Sequence, residues 1–172
     1  MGELLEFEDV DGFGVGTVGV PGQRTFFVQV RADGRRVTLK CEKQQVAALG
    51  QYLEQLLEDL PSPGDRPLDR SLDLHLPVEP IAFTIGAIGL AFDQELDRFV
   101  LMLEEFVAPD PDTGEPDPDA AIDAGRIRFH LTRGQALAFS ERSEDVVAAG
   151  RPPCVWCGMP MDPDGHACPR MN

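Results

Sequence analysis

The chain has 172 residues, 42% hydrophobic and 26% charged, with 17 glycines and 15 prolines, which is one ordinary domain or one domain with a small appendage. No apolar run reaches the ~18–20 residues of a bilayer span, and Met1-Gly2-Glu3-Leu4-Leu5-Glu6 has neither the basic start nor the apolar stretch of a secretory signal, so a cytoplasmic protein is expected, with no membrane partner. The net charge of −15 argues against nucleic acid as the main ligand, because displacing counterions from phosphates takes clustered Lys and Arg.

The acids are unevenly spread. Residues 1–12 hold five (Glu3, Glu6, Glu8, Asp9, Asp11) and residues 109–124 hold six (Asp110, Asp112, Glu115, Asp117, Asp119, Asp123), neither segment with a base. The rest of the chain is only mildly acidic, and its bases are 13 Arg and two Lys, Lys40 and Lys43.

After the acidic segment 1–12, a first unit is expected over 13–61. Phe13-Gly14-Val15-Gly16-Thr17-Val18-Gly19-Val20 reads as a strand, Pro21-Gly22 as a turn, and Arg24 to Val30 as a second strand. Asp33-Gly34 is a strong hairpin signal before a third strand near Val37 to Cys41. From Glu42 to Leu60, the residues Val46, Leu49, Leu53, Leu56, Leu57 and Leu60 make one apolar stripe at helical period, stopped by Pro61 and Pro63.

A linker over 62–80, rich in Pro, Asp and Arg, leads to a second unit over 81–150. Phe83-Thr84-Ile85-Gly86-Ala87-Ile88-Gly89-Leu90 repeats the first strand seventy positions on, and Ile127 to Ala136 repeats Val37 to Val46 ninety positions on. Arg98 to Leu103 stands where Arg24 to Val30 does. The Pro- and Asp-rich loop 109–124 interrupts this unit and is expected to remain solvated and mobile. A capping box at Thr132 and Gln135 opens the second helix, which carries Ala136, Phe139, Val146 and Val147 inward, and Gly150 is its expected left-handed terminator. The fold class is therefore α+β: duplicated β-β-β-α units forming an antiparallel sheet covered by two helices. One six-stranded sheet with pseudo-twofold symmetry is preferred over two lobes packed through their helices, because a unit of that size alone is marginal.

The tail, 151–172, carries the strongest chemistry. Cys154-Val155-Trp156-Cys157-Gly158 and Gly165-His166-Ala167-Cys168-Pro169 give C-x2-C-x8-H-x-C. Two ligands two residues apart form a knuckle, and the intervening residues, with Pro160, Pro163, Asp164 and Gly165, return a second pair. Cys154, Cys157, His166 and Cys168 then offer closed tetrahedral coordination to Zn2+, with Zn–S near ~2.3 Å and Zn–N near ~2.0 Å. With no open position for water, the zinc is expected to be structural, in a zinc-ribbon-like tail. The rivals are two disulfides, which a reducing compartment disfavours, and a redox C-x-x-C pair, which leaves His166 and Cys168 unexplained.

Cys41 falls where the third strand meets the helix and corresponds to Leu131 in the repeat, so a buried thiol is expected rather than a nucleophile. Gly14-x-Gly16-x-x-Gly19 matches a dinucleotide fingerprint literally, but its glycines lie in a strand with no helix following; they are expected to mark bulges or close backbone approach. Arg24, Lys43 and Arg133 are a candidate anion-binding set between the repeats. His75 and His130 have no catalytic neighbours in sequence, and there is no triad or phosphate loop.

Val15 to Phe26, Glu42-Lys43-Gln44-Gln45-Val46-Ala47-Ala48-Leu49, and Arg151-Pro152-Pro153-Cys154 through His166-Ala167-Cys168-Pro169-Arg170 together resemble the actinobacterial domain-of-unknown-function family DUF 3090. The resemblance runs almost end to end and implies an uncharacterised protein with no assigned activity. The function expected is a non-enzymatic binding or adaptor protein with protein partners; the alternative is a small-molecule enzyme, a hydrolase or phosphate-ester binder, using the anion site.

Overall fold

The computed structural model describes residues 4–162 and 164–171; Glu3 of the acidic start and Pro163 of the returning loop lie outside the described residues. The strand-like runs form β1 (Leu4–Phe7), β2 (Gly12–Val18), β3 (Thr25–Ala32) and β4 (Arg35–Cys41), followed by helix α1 (Lys43–Glu58). Then come β5 (Ile81–Asp93), β6 (Arg98–Glu105), the short helix α2 (Pro118–Asp123), β7 (Arg126–Leu131) and helix α3 (Arg133–Ala148). The duplicated units are β2-β3-β4-α1 and β5-β6-β7-α3. They join in one sheet of order β1-β7-β6-β5-β4-β3-β2.

Within each unit the strands pair antiparallel. At the join, however, β4 and β5 run parallel, with Thr38 opposite Ile81 and Lys40 opposite Thr84. The third strand of one unit meets the first strand of the next in the same direction, and β7 meets β1 in the same way, so the expected pseudo-twofold axis runs along the curl of the sheet. The equivalent helix positions Gly50 and Ser140 meet across it, Ser140 Oγ donating to Gly50 O at 2.8 Å. The parallel join follows from the connection: α1 and the linker provide the long crossover that parallel neighbours require.

One correction concerns the start of the chain. The acidic segment contributes β1, parallel to β7 with Leu4 opposite Arg126 and Phe7 opposite Phe129, so the sheet has seven strands. β1 takes beside β7 the place that β5 takes beside β4, satisfying an edge that would otherwise expose its N–H and C=O groups.

β1 and β2 sit at opposite ends of the strand order, yet few residues separate them. From Phe7 to Gly12 the chain spans at most about 18 Å, whereas six strand spacings across a flat sheet amount to about 29 Å. The sheet must therefore curl until its ends approach each other. Phe13 of β2 accordingly meets Phe129 of β7 at 5.0 Å between ring centroids and stacks on Phe139 of α3 at 4.2 Å. Inside the curl, Leu39, Leu101, Leu103, Ile127, Phe129 and Leu131 are fully buried. Val46, Leu49 and Leu53 enter from α1, and Ala136, Phe139 and Val146 from α3.

Local signals behave as their chemistry requires. Asp33 and Gly34 both take positive φ in the β3–β4 hairpin, as a primed turn demands. Thr132 Oγ1 accepts from Gln135 N–H at 3.1 Å while Thr132 N–H donates to Gln135 Oε1 at 2.9 Å. Gly150 is not left-handed, contrary to expectation; Ala149 caps α3, its N–H donating to Asp145 O. The acidic insertion forms α2, with Asp117 accepting from Asp119 N–H and Pro118 at the first helical position, both favourable at a helix start.

The linker is a packed strap across the first unit. Val15 N–H on the free edge of β2 donates to Leu72 O at 3.0 Å. A Cβ on Gly14 would lie 2.9 Å from Asp73 O, so the glycine is required by backbone approach. Gln29, fully buried on β3, donates to Thr38 Oγ1 and His75 O and accepts from His75 N–H. Replacing Gln29 with Ala leaves His75 N–H without its partner, and His75 O with only the donor from Arg36 Nη1, and is expected to cost about 1–3 kcal/mol. Urea unfolding would register this as a lower midpoint, and an unchanged midpoint would show that Gln29 does not hold the strap.

Candidate metal centre

The tail buries little apolar surface. Among its described residues only Cys154 and Cys168 are buried, while Cys157, Met161 and His166 are half-buried. Its shape comes from backbone hydrogen bonds around two tight turns. Gly158 N–H donates to Cys154 O and Cys154 N–H to Met159 O, each at 2.8 Å. Gly158 has φ of 72°, a left-handed conformation that glycine adopts without steric cost. Met161 N–H donates to Pro152 O at 2.8 Å, and Pro153 pairs with Pro160. The return is made at Asp162 and Gly165, and Arg170 Nη1 donates to Trp156 O at 3.1 Å, binding the end of the tail back to the first knuckle.

These turns converge all four expected ligands. Ligand atoms of Cys154, Cys157, His166 and Cys168 lie within 4.8 Å of one another. Cys154 Sγ is 3.9 Å from Cys168 Sγ, and Cys157 Sγ is 3.2 Å from His166 Nε2. All four cysteines are free, and 3.9 Å is far beyond the ~2.05 Å of a disulfide. Backbone N–H groups of Cys157 and Trp156 hold the Cys154 thiol below its ordinary pKa. The Met159 N–H pulls the Cys157 thiol the same way, but burial and the neighbouring Cys168 and Cys154 outweigh it, so that thiol is raised. Three sulfurs crowded together cannot all ionise without a counter-charge among them. His166 Nδ1 is buried and has no hydrogen-bond partner among the described residues, while Nε2 faces the Cys157 sulfur. The cluster is capable of coordinating one metal ion.

Outside the tail, the expected anion set is divided. Arg24 and Lys43 line one cleft of about 460 Å³ together with Lys40, Arg151 and Glu42. Arg133 is not among its lining residues; its guanidinium pairs with Asp97 at 3.0 Å and donates to Pro61 O and Ser62 O. Lys40 and Arg151 were not singled out by the sequence. The one available signal was rarity: the chain's only two lysines stand three residues apart. Cys41 is buried at the end of β4, and burial, helped by the charge of Glu42, pushes its thiol up to about 12, which leaves it protonated and unsuited to nucleophilic attack at neutral pH. His75 engages the strap through its backbone, and His130 lies on β7.

Among the described residues no helix is long and apolar enough to cross a membrane. A family model described as a protein of unknown function, DUF3090, matches residues 5–168, taking in both units and all four cluster residues. No curated protein and no solved structure matches.

Proposed function

The chain belongs to the DUF3090 family, whose description assigns no activity, and from its own residues we propose a non-enzymatic binding or adaptor protein whose C-terminal knuckle is closed by a structural zinc ion. The observation that carries this is the spacing of the ligand atoms. Two thiolates held ~2.3 Å from one tetrahedral centre lie about 3.8 Å apart, and the Cys154 and Cys168 sulfurs stand 3.9 Å apart. Three thiolates with one imidazole favour zinc over harder cations. Four protein ligands fill a tetrahedron, leaving no position for a reacting water, so the ion's contribution is shape.

That shape carries apolar side chains outward. Val155 is 88% exposed, Trp156 62% and Met159 53%, all between or beside ligands and therefore immobilised with them. Rigid aromatic anchors lose little entropy on docking and dominate many protein interfaces. Paired Val155→Ser and Trp156→Ser substitutions leave every ligand in place. Affinity capture with zinc-loaded protein is expected to recover a stoichiometric protein partner that the double variant loses. Recovery of the same proteins by both forms, or of none by either, would count against the proposal.

A further inference from the structure

The cleft where the knuckle meets the first unit has a composition unlike the rest of this acidic chain. It encloses about 460 Å³ and is lined by Arg24, Lys40, Lys43 and Arg151 against a single carboxylate, Glu42. Both lysines of the protein are here, and neither forms an ion pair among the described residues. Arg24 is fixed by donating from Nη1 to Val146 O at 2.9 Å, with its guanidinium 5.1 Å above the Phe26 ring. Its other amino group turns to the cleft: a Cβ placed on Gly150 would sit 3.1 Å from Arg24 Nη2 and 3.7 Å from Lys43 Nζ. Both cations therefore face one spot, kept open because residue 150 has no side chain. Arg151, held by Asp162 at 2.9 Å, and Pro160 bring the knuckle in as the opposite wall. Lys43 also begins α1, where the helix dipole already favours negative charge.

Four cations gathered against fewer carboxylates repel one another, and an anion between them reverses the sign of that interaction. Two ammonium groups and the free edge of a fixed guanidinium suit a compact dianion such as a phosphate group. The cleft has the volume of small-molecule sites, with Phe26 and Pro160 offering apolar surface to the remainder of a ligand. We propose that this cleft binds a phosphorylated small molecule, its phosphate between Arg24, Lys40 and Lys43. The site goes beyond the adaptor function and holds whether or not the knuckle has a protein partner.

The test is titration of zinc-loaded full-length protein with inorganic phosphate and with pyrophosphate, followed by calorimetry and amide chemical shifts at fixed ionic strength. One saturable site is expected, with shifts confined to residues 22–26, 40–43 and 150–151. Lys43→Ala and Lys40→Ala should each weaken binding about tenfold, the loss of one charge-assisted hydrogen bond, whereas Arg133→Ala should leave it unchanged. Absence of saturation, shifts scattered over the surface, or equal affinity in Lys43→Ala would overturn the proposal. Tighter binding of an acidic peptide than of either phosphate probe at the same residues would overturn it too, by showing a carboxylate-bearing protein to be the ligand.

Discussion

Substituting Cys157 by Ser is expected to abolish stoichiometric metal binding and unfold residues 151–171 while the seven-stranded body stays folded. The tail has little apolar burial to hold it: the only two buried residues among those described are themselves ligands, and Val155, Trp156 and Met159 face outward. Zinc binding in comparable short segments is worth on the order of 10 kcal/mol or more, and without a metal such segments do not fold. Serine supplies no thiolate at neutral pH, so one corner of the tetrahedron is lost. Hydrogen exchange should report rapid exchange of the Cys154, Gly158, Met161 and Gly165 amides in the variant, and protection of β5, β6 and β7 as in the native protein. A variant that retains one zinc and native protection in the tail would show that Cys157 is not a ligand. Removing the metal from native protein with a chelator should reproduce the same local pattern.

The second large effect belongs to the curl of the sheet. Phe13 is 2% exposed and joins the two ends of the strand order, stacked on Phe139 and tilted against Phe129. Phe13→Ala should cost about 3–5 kcal/mol, since the backbone around a fully packed ring relaxes only in part. Against a usual stability of about 5–15 kcal/mol, that is about a fifth of the total or more, and it should lower Tm on the order of 10 °C for a chain of this size. Phe92→Ala serves as a control: Phe92 is only half-buried and touches Phe99 alone among the aromatic rings, so its cost should be clearly smaller. Equal costs for the two would mean that closure between β2 and β7 contributes no special stability. Metal content should be unaffected in both.

These two regions also divide what could be read from the residues in order. The knuckle was legible because its four ligands fall within one short segment and their spacing alone dictates the chemistry. Capping at Thr132, the Asp33-Gly34 turn and the apolar stripe of α1 were legible for the same reason, each being decided by neighbours in the chain. The repeat revealed two β-β-β-α units but not how they are placed. The recurrence of a cation at Lys43 and Arg133 suggested one anion-binding set between the repeats. The two helices pack antiparallel, so Lys43 lies by Gly150 just past the end of α3 and Arg133 by Pro61 beyond the end of α1; Arg133 finds Asp97 while Lys43 meets Arg24 and Lys40.

β1 was hidden by its four-residue length and by the acids around it; only the free edge of β7 makes a strand of it. The strap was hidden differently. Its contacts are backbone carbonyls of Ser71, Asp73 and His75 read by Arg31 and Gln29, and a carbonyl is the same whatever residue carries it. The cleft is assembled from β3, the β4–α1 corner, the end of α3 and the knuckle, so no stretch of sequence displays it whole.

Zinc K-edge X-ray absorption on freshly purified, reduced, full-length protein, with elemental analysis of the same sample, bears most directly on the metal-closed knuckle. One zinc per chain is expected, with a first shell of three sulfurs near ~2.3 Å and one nitrogen near ~2.0 Å. A metal-free protein, or a shell in which oxygen replaces a sulfur or the nitrogen, would contradict closed coordination by Cys154, Cys157, His166 and Cys168.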